Sequence, residues 1–267
     1  MSPFDYLRAP DIASAVAALR ADPDAKLLAG GQSLLAAMKL GLAAPTQLID
    51  LQDIAALSAL TEKDGGLWMG AMCTHAQIAR SPLVAHMAPM LARLAAGIAD
   101  PQVRNRGTVG GAVSNADPAA CWPAGLLAVS AVLHTDRRQI PVDDFFTGLF
   151  STALEPDEVL TGIWVPAVAQ GAYLKFEQAA SRFALTGVAV ARLPGGVRVA
   201  ITGLGHGVCR WSEAEAALGR SWSVEALRAI HWDPLLASGD LHASADYRAH
   251  LAAVLARRAV AAIGSPA

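Results

Sequence analysis

The stretch KLLAGGQSLLAAMKL, residues 26–40, places a glycine pair between two apolar segments. Residues 26–28 predict a short buried strand, and residues 33–40 predict a helix that ends near Gly41. The turn between them reads Ala29-Gly30-Gly31-Gln32-Ser33. Because its glycines lack a Cβ, backbone N–H groups can approach an anion there, and the Ser33 hydroxyl adds a donor. An ordinary tight turn would show the same pattern, so this segment alone leaves both interpretations open.

A second glycine pair lies further along the chain, where residues 108–112 read Thr108-Val109-Gly110-Gly111-Ala112. A second loop of this kind can bind the other phosphate of a pyrophosphate, with the Thr108 hydroxyl as a further donor. Neither segment matches G-x-G-x-x-G or G-x-x-x-x-G-K-[ST], which disfavours a nicotinamide Rossmann site and a P-loop. The two loops together therefore predict a nucleotide site on a different scaffold.

Composition limits the class of protein. With 267 residues, of which 54% are hydrophobic and 16% charged, we expect one or two domains and surplus apolar surface for a partner. The net charge of -2 argues against a general attraction to nucleic acid or anionic lipid. No run approaches about 18 apolar residues, and the start MSPFDYLRAP lacks a leader pattern, which predicts a cytoplasmic protein without a transmembrane segment.

Metal-binding and disulfide patterns are not found in the sequence. Cys73, Cys121 and Cys209 are far apart and form no C-x-x-C pair, and the seven histidines show no metal-ligand spacing. We therefore expect no disulfide, no iron–sulfur cluster and no catalytic metal in this chain.

Apolar periodicity and turn residues predict the remaining elements. The predicted helices are residues 11–20 with Asp11 as N-cap, 84–98, 123–132, 213–218, 224–230, and 245–263 with Ser244 as N-cap. The predicted strands are residues 47–51, 67–72, 159–165, 173–176, 188–192 and 197–203, the last two joined by a turn at Pro194-Gly195-Gly196. The linker at residues 167–171 is the predicted domain boundary.

Four segments carry a resemblance that covers nearly the whole chain. They are LLAGGQSLLAAMKLGLAAPTQLIDL (27–51), GAMCTHAQIARSP (70–82), IADPQVRNRGTVGGAVSNADPAA (98–120) and HASADYRAHLAAVLARRAV (242–260). They resemble the FAD-binding medium subunit of molybdenum hydroxylases (xanthine dehydrogenase family), most closely the aerobic carbon-monoxide-dehydrogenase type. The resemblance implies an α+β fold. A two-subdomain FAD-binding domain of the vanillyl-alcohol-oxidase (PCMH) type would occupy residues 1–168, divided at about residue 55, and a small C-terminal domain of antiparallel sheet plus helices would occupy residues 169–267.

The resemblance also implies roles for single residues. The two glycine segments would hold the FAD pyrophosphate, and Lys175 would stabilise negative charge on reduced flavin or phosphate, with a solvated edge-strand lysine as the alternative. Phe183 would pack on the flavin, where some relatives have a tyrosine. The residues predicted to bind the cofactor are Ala29, Gly30, Gly31, Gln32, Ser33, Thr108, Val109, Gly110, Gly111, Ala112, Asn115, Asp117, Cys121, Leu160, Lys175 and Phe183. No residue is predicted to be catalytic.

One position departs from the family pattern. Relatives commonly have D-P-x-x-D-x-P, whereas this chain reads Asp117-Pro118-Ala119-Ala120-Cys121-Trp122-Pro123, so Cys121 replaces the second carboxylate. A thiol is a weaker hydrogen-bond partner for FAD hydroxyl groups, which predicts looser retention of the cofactor. His75 follows a strand and either approaches the cofactor or serves as a structural loop residue.

The function implied by the resemblance is electron transfer. The chain would accept electrons from a [2Fe-2S] small subunit and pass them through FAD to an external acceptor. The substrate would be oxidised in a molybdenum-pterin large subunit, and the three subunits would form a dimer of heterotrimers. Two alternatives stay open: a free-standing FAD-dependent oxidase or reductase of the same fold, and a non-catalytic scaffold subunit that has lost FAD.

Overall fold

The structure is a computed structural model that describes residues 2–264. Its strands are β1 (Asp5–Arg8), β2 (Lys26–Leu28), β3 (Gln47–Asp50), β4 (Leu60–Lys63), β5 (Gly66–Gly70), β6 (Val132–Thr135), β7 (Gln139–Pro141), β8 (Phe146–Gly148), β9 (Ser151–Thr152), β10 (Leu160–Pro166), β11 (Gln170–Glu177), β12 (Ala184–Leu193), β13 (Gly196–Thr202) and β14 (Cys209–Arg210). Its α-helices are α1 (Ile12–Ala21), α2 (Leu34–Lys39), α3 (His75–Arg80), α4 (Pro82–Met87), α5 (Pro89–Ala96), α6 (Pro101–Arg106), α7 (Val109–Asn115), α8 (Cys121–Ala128), α9 (Val142–Phe145), α10 (Ser212–Arg220) and α11 (Ala245–Gly264). Short 3-10 helices occur at Ala55–Ser58, Glu225–Leu227 and Pro234–Leu236. The fold is α+β, as predicted.

Two larger sheets, together with the two-stranded sheet β8-β9, build the N-terminal domain. The first is a small parallel sheet in the order β1-β3-β2, and α1 packs its buried side chains Ala15, Val16 and Leu19 into the same core as Ile49 of β3. The second is an antiparallel sheet in the order β4-β5-β10-β6-β7. Helices α3 to α8 lie between β5 and β6 in sequence, and the apolar faces of all of them except α6 form the largest core cluster with this second sheet.

The C-terminal domain is a third sheet, antiparallel and in the order β11-β12-β13-β14. Successive side chains of β12 point to opposite faces, so Val188 and Val190 join the core with α10 and α11. Ala189 and Ala191 face the core of the N-terminal domain. The small alanine side chains allow α8 to pack closely on this face, which joins the two domains.

Several local predictions are confirmed. The Asp11 carboxylate accepts from the backbone N–H of Ser14 and caps α1, and the Ser244 hydroxyl accepts from the N–H of Tyr247 at the start of α11. Leu193 and Gly196 pair across the two-residue turn between β12 and β13. Each of these signals is local, because the residues concerned lie within four positions of one another.

Three helix predictions need correction. The single helix predicted at 84–98 is wrong, because Pro89 lacks an N–H and forces Ala88 out of the helical region (φ −148°, ψ 65°), so that α4 and α5 are separate. The helix predicted at 123–132 begins at Cys121 and ends at Ala128, and Val132 already belongs to β6. The helix predicted at 224–230 is only the 3-10 turn Glu225–Leu227.

The glycine-rich segment after α6 was not predicted to be helical, yet it forms α7. None of the helices formed by residues 2–264 has both the length and the apolar character that crossing a bilayer requires.

Candidate cofactor-binding site

The first glycine segment, called loop 1 here (residues 29–33), joins the end of β2 to the start of α2. Ser33 occupies the N-cap position of α2, yet its side chain accepts no capping hydrogen bond. Within residues 2–264, no acceptor is found for the backbone N–H groups of Gly30, Gly31, Gln32, Ser33 and Leu34. A run of free donors of this kind suits a phosphate oxygen.

The second glycine segment, called loop 2 (residues 108–112), leads into the first turn of α7. Here the backbone donors have protein acceptors: Val109 donates to the Cys73 carbonyl at 3.0 Å and Gly110 to the Ala71 carbonyl at 2.8 Å. The N–H of Gly111 donates to the Thr108 hydroxyl oxygen at 3.1 Å, which is an N-cap bond. Loop 2 can therefore contact a ligand through the Thr108 hydroxyl proton and bare glycine surfaces, but not through free N–H groups at 109–111.

The glycines of both loops serve close backbone packing. A Cβ on Gly30 would lie 2.2 Å from the Arg106 carbonyl oxygen, and a Cβ on Gly110 would lie 2.5 Å from the Cβ of Ala71. Neither position tolerates a side chain, whatever is bound nearby. The physical reason for these two glycines is therefore the contact of each loop with the protein backbone, rather than the approach of an anion that the sequence had indicated.

Both loops line one cavity of about 420 Å³, a size typical of small-molecule sites. Asn115, at the end of α7, and Leu160, at the start of β10, line it as well. The predicted residues on this cavity are Ala29, Gly30, Gly31, Gln32, Ser33, Thr108, Gly110, Gly111, Ala112, Asn115 and Leu160. The predicted residues outside its lining are Val109, Asp117, Cys121, Lys175 and Phe183.

Lys175 is tied to the protein rather than free. Its Nζ donates to the carbonyls of Gly97 at 2.8 Å and Arg182 at 2.5 Å, and it lies 3.4 Å from Glu177 Oε2. Its side chain is only 9% exposed. The ammonium group thus links the loop between β11 and β12 to the end of α5. Lys175 is therefore neither a solvated edge-strand lysine nor a free cation beside the cofactor.

Cys121 is buried at the start of α8, close to Lys175 and to the Tyr173 hydroxyl. Burial raises the pKa of its thiol, so the side chain is neutral. Within residues 2–264 the buried Tyr173 hydroxyl has no hydrogen-bond partner. Cys121 therefore lies in a cluster of residues from both domains and outside the lining of the main cavity.

Asp117 directly follows the C-cap of α7, and Phe183 lies in the loop between β11 and β12. The Asp117 carboxylate accepts from the N–H of Ala119 at 2.8 Å, and burial raises its pKa. Phe183 is 45% exposed and lines a separate hollow of about 210 Å³ together with Pro118 and Ala119. The structure does not bring Phe183 to the main cavity.

His75 and Glu158 are among the cavity residues that were not predicted as site residues. His75 lines the wall beside Gly107, and Glu158 lines the end beyond loop 1. Arg138 donates to both carboxylate oxygens of Glu158, at 2.8 and 2.7 Å, and these bonds lower the pKa of Glu158 to about 2. The family segment that contains His75 was a usable signal, whereas the Glu158–Arg138 pair joins two loops 20 residues apart and has no local signature.

These features fit the pyrophosphate of a dinucleotide. Loop 1 supplies consecutive unpartnered N–H groups, and loop 2 supplies a hydroxyl and glycine surfaces that no side chain covers. A phosphate group would satisfy the donors that the protein leaves open.

Family comparisons identify the cofactor class. Residues 2–168 match the family described as "FAD binding domain in molybdopterin dehydrogenase", and residues 171–263 match "CO dehydrogenase flavoprotein C-terminal domain". The first match alone covers more than half of the chain.

Relatives and solved structures agree along the full length. The chain is 36% identical to the nicotine 6-hydroxylase medium subunit of Paenarthrobacter nicotinovorans, with 97% of each chain covered. It is 38% identical to the carbon monoxide dehydrogenase medium chain of Hydrogenophaga pseudoflava, with 96% of each covered. A solved carbon monoxide dehydrogenase from H. pseudoflava contains a chain of the same fold, with a TM-score of 0.91 and 38% identity over 98% of both chains. The chain therefore belongs to the FAD-binding medium subunits of the molybdenum hydroxylases, of the carbon-monoxide-dehydrogenase type.

Proposed function

We propose that this chain is the electron-transfer subunit of a molybdenum hydroxylase, which takes electrons from a [2Fe-2S] subunit and passes them to an external acceptor. The observation that carries the proposal is the meeting of both glycine loops in one cavity, with the N–H groups of loop 1 unpartnered. Its support from relatives is the medium-subunit match along the whole chain.

The residues of this chain bind and orient the cofactor. The N–H groups from Gly30 to Leu34 and the hydroxyls of Ser33 and Thr108 would hold the pyrophosphate. Bound FAD would supply the redox chemistry. Among residues 2–264 no three His, Cys, Asp or Glu side chains form a possible metal site, and burial raises the pKa of Cys73 and Cys209 to about 11, which disfavours reactive thiolates.

Partners follow from the same proposal. A small subunit would carry the [2Fe-2S] clusters, and a large subunit would carry molybdenum-pterin and oxidise the substrate. The dimer of heterotrimers, the cytoplasmic location and a domain boundary between residues 168 and 169 stay predictions. The boundary is supported by the two family matches, which leave only residues 169 and 170 between them.

The test is a reconstitution in two steps. First, the full chain is purified and its bound flavin is measured by visible absorbance, with an equimolar amount of FAD expected. A colourless protein that takes up no added FAD would refute the proposal.

Second, the complex with both partner subunits is reduced anaerobically at its iron–sulfur clusters while the flavin absorbance is followed. Bleaching of the flavin band, and its recovery when an acceptor is added, is the expected result. A flavin that stays oxidised next to reduced clusters would show that electrons do not take this route.

A further inference from the structure

His75 lies where the main cavity meets the apolar core. It is the first residue of α3, after the Thr74 cap, and only 4% of its surface is exposed. Its backbone N–H donates to the Gly107 carbonyl at 3.0 Å, and both residues line the cavity. The imidazole ring therefore stands beside the residue that precedes loop 2.

The tautomer of His75 follows from its contact with Trp122. The indole Nε1–H of Trp122 donates to Nδ1 of His75 at 3.1 Å, and Trp122 is 1% exposed. An indole nitrogen can only donate, so Nδ1 must be the unprotonated nitrogen of the ring. Burial, and to a smaller extent the Arg104 charge, lower the pKa of His75 to about 4. The ring is therefore neutral at pH 7 and carries its single proton on Nε2.

This Nε2–H group has no protein acceptor within residues 2–264. It adjoins Gly107, since a Cβ on that glycine would lie 2.9 Å from Nε2. Gly107 in turn adjoins loop 1, because a Cβ on Gly30 would lie 2.7 Å from the Gly107 Cα. Gly107 is thus a common neighbour of His75 Nε2 and of loop 1, and both line the same cavity.

The bond from Trp122 occupies only Nδ1. Nε2 is not one of the buried polar atoms that lack a partner, so this donor is accessible from the cavity that His75 lines. The cavity wall is the remaining direction in which Nε2–H can find a partner.

We infer that His75, as the neutral tautomer with its proton on Nε2, donates a hydrogen bond to a pyrophosphate oxygen of FAD beside loop 1. The inference rests on the proposed function, because it assumes that FAD is the ligand of this cavity. Trp122 is then a positioning residue, which holds the imidazole in the donating tautomer.

The direct test is nitrogen NMR of the full chain with isotope-labelled histidine. The wild-type protein should show a protonated Nε2 and an unprotonated Nδ1 before ligand is added. Saturation with ADP, which has the pyrophosphate but no flavin, should shift the Nε2–H signal. An unchanged signal at saturation would overturn the inference, and this measurement needs no variant that could fail to fold.

Substitutions test the inference independently, through the affinities for FAD and for ADP measured by titration into apoprotein. His75→Phe should weaken both ligands by about 10-fold, whereas His75→Gln, whose amide can donate, should lose less. Trp122→Phe should fall between them, because it frees Nδ1 to take the proton. The matched control is His86→Phe, at an exposed position of α4, which should bind both ligands as the wild type does.

The outcomes separate this inference from the proposed function. If the wild type binds FAD and His75→Phe binds FAD and ADP equally well, the inference fails and the proposed function stands. If FAD weakens but ADP does not, the hydrogen bond goes to another part of the cofactor and the pyrophosphate assignment is wrong. If the wild type itself binds no FAD, the proposed function fails first.

Discussion

Loop 1 leaves its backbone N–H groups without protein acceptors, whereas loop 2 uses those of Val109 and Gly110 to bind the segment that follows β5. The same difference appears in the two N-cap residues. Ser33 caps nothing with its side chain, and Thr108 accepts from Gly111. Two segments with the same Gly-Gly pair therefore differ in role. Loop 1 has donors that are open to a ligand, whereas loop 2 is bonded to the neighbouring segment of the cavity wall.

This division shows that a glycine pair has more than one physical meaning. The φ of 71° at Gly31 suits glycine because the backbone is left-handed there, whereas Gly110 is needed because Ala71 is too close for any side chain. Hydrogen-bond partners, rather than the glycines themselves, separate a phosphate loop from a packing contact.

The largest effect is expected from Gly30→Ala. The new Cβ would lie 2.2 Å from the Arg106 carbonyl oxygen, so loop 1 must move away from the end of α6. Overpacking of this kind costs about 3 kcal/mol, and we expect FAD affinity to fall by about 100-fold. Titration of apoprotein with FAD, together with the melting temperature, measures both consequences.

Gly219→Ala is the matched control for this change. Gly219 lies in α10 and a Cβ there meets nothing within 4 Å, so alanine should keep FAD affinity and slightly raise stability. Wild-type affinity and melting in Gly30→Ala would contradict the packing of loop 1 against the end of α6.

The second prediction concerns pH and the framework behind loop 2. Burial lowers the pKa of His75 from 6.5 to about 4, so the unfolded chain binds more protons between these values. The stability that this neutral histidine contributes is complete above about pH 6.5 and is lost as the pH falls toward 4. Between pH 7.5 and pH 5 we expect the free energy of unfolding to decrease by about 2 kcal/mol, measured by urea denaturation.

His75→Gln should lose most of this pH dependence, whereas His86→Gln should keep it. Glu158 and Asp157 add a separate loss at lower pH, because arginine hydrogen bonds lower the pKa of each to about 2. An equal slope between pH 7.5 and pH 5 in His75→Gln and wild type would show that another group titrates there.

The third prediction compares the two N-cap residues directly. Ser33→Ala should leave stability within about 0.5 kcal/mol, because the hydroxyl caps nothing, but should weaken FAD by about 10-fold through a lost bond to phosphate. Thr108→Val should lower stability by about 1 kcal/mol, because Gly111 loses its acceptor. Urea denaturation of the apoproteins and FAD titration would measure the pair. If Ser33→Ala lost stability and kept FAD affinity, loop 1 would be a packing turn like loop 2.

Local signals predicted much of the fold. The N-caps at Asp11 and Ser244 and the turn at Pro194 depend on neighbours in sequence, and the structure confirms them. The break between α4 and α5 at Ala88 also has a local cause, which is Pro89. The sequence-based prediction gave more weight to the long apolar run and so placed one helix there.

The partners of loop 2 were beyond prediction from one sequence. The acceptors of Val109 and Gly110 lie at residues 73 and 71, and only the folded sheet brings them together. The same holds for Lys175, whose carbonyl partners belong to Gly97 and Arg182. The family pattern predicted which positions belong to the site, but it did not predict which of these residues line the cavity.

Cys121 gives the smallest expected effect and sharpens the comparison at a third segment of the family pattern. The thiol borders neither cavity and lies beside Lys175 and the unpartnered Tyr173 hydroxyl. In Cys121→Asp, a carboxylate would accept from Tyr173 and face the Lys175 ammonium, but its burial costs nearly as much as these contacts return. We therefore expect FAD affinity to change by no more than about threefold, with Cys121→Ser unchanged as the matched control. A gain above about 10-fold in Cys121→Asp would mean that this position contacts FAD directly, as Ser33 is expected to do, and that the cavity extends to the interdomain cluster once the cofactor is bound.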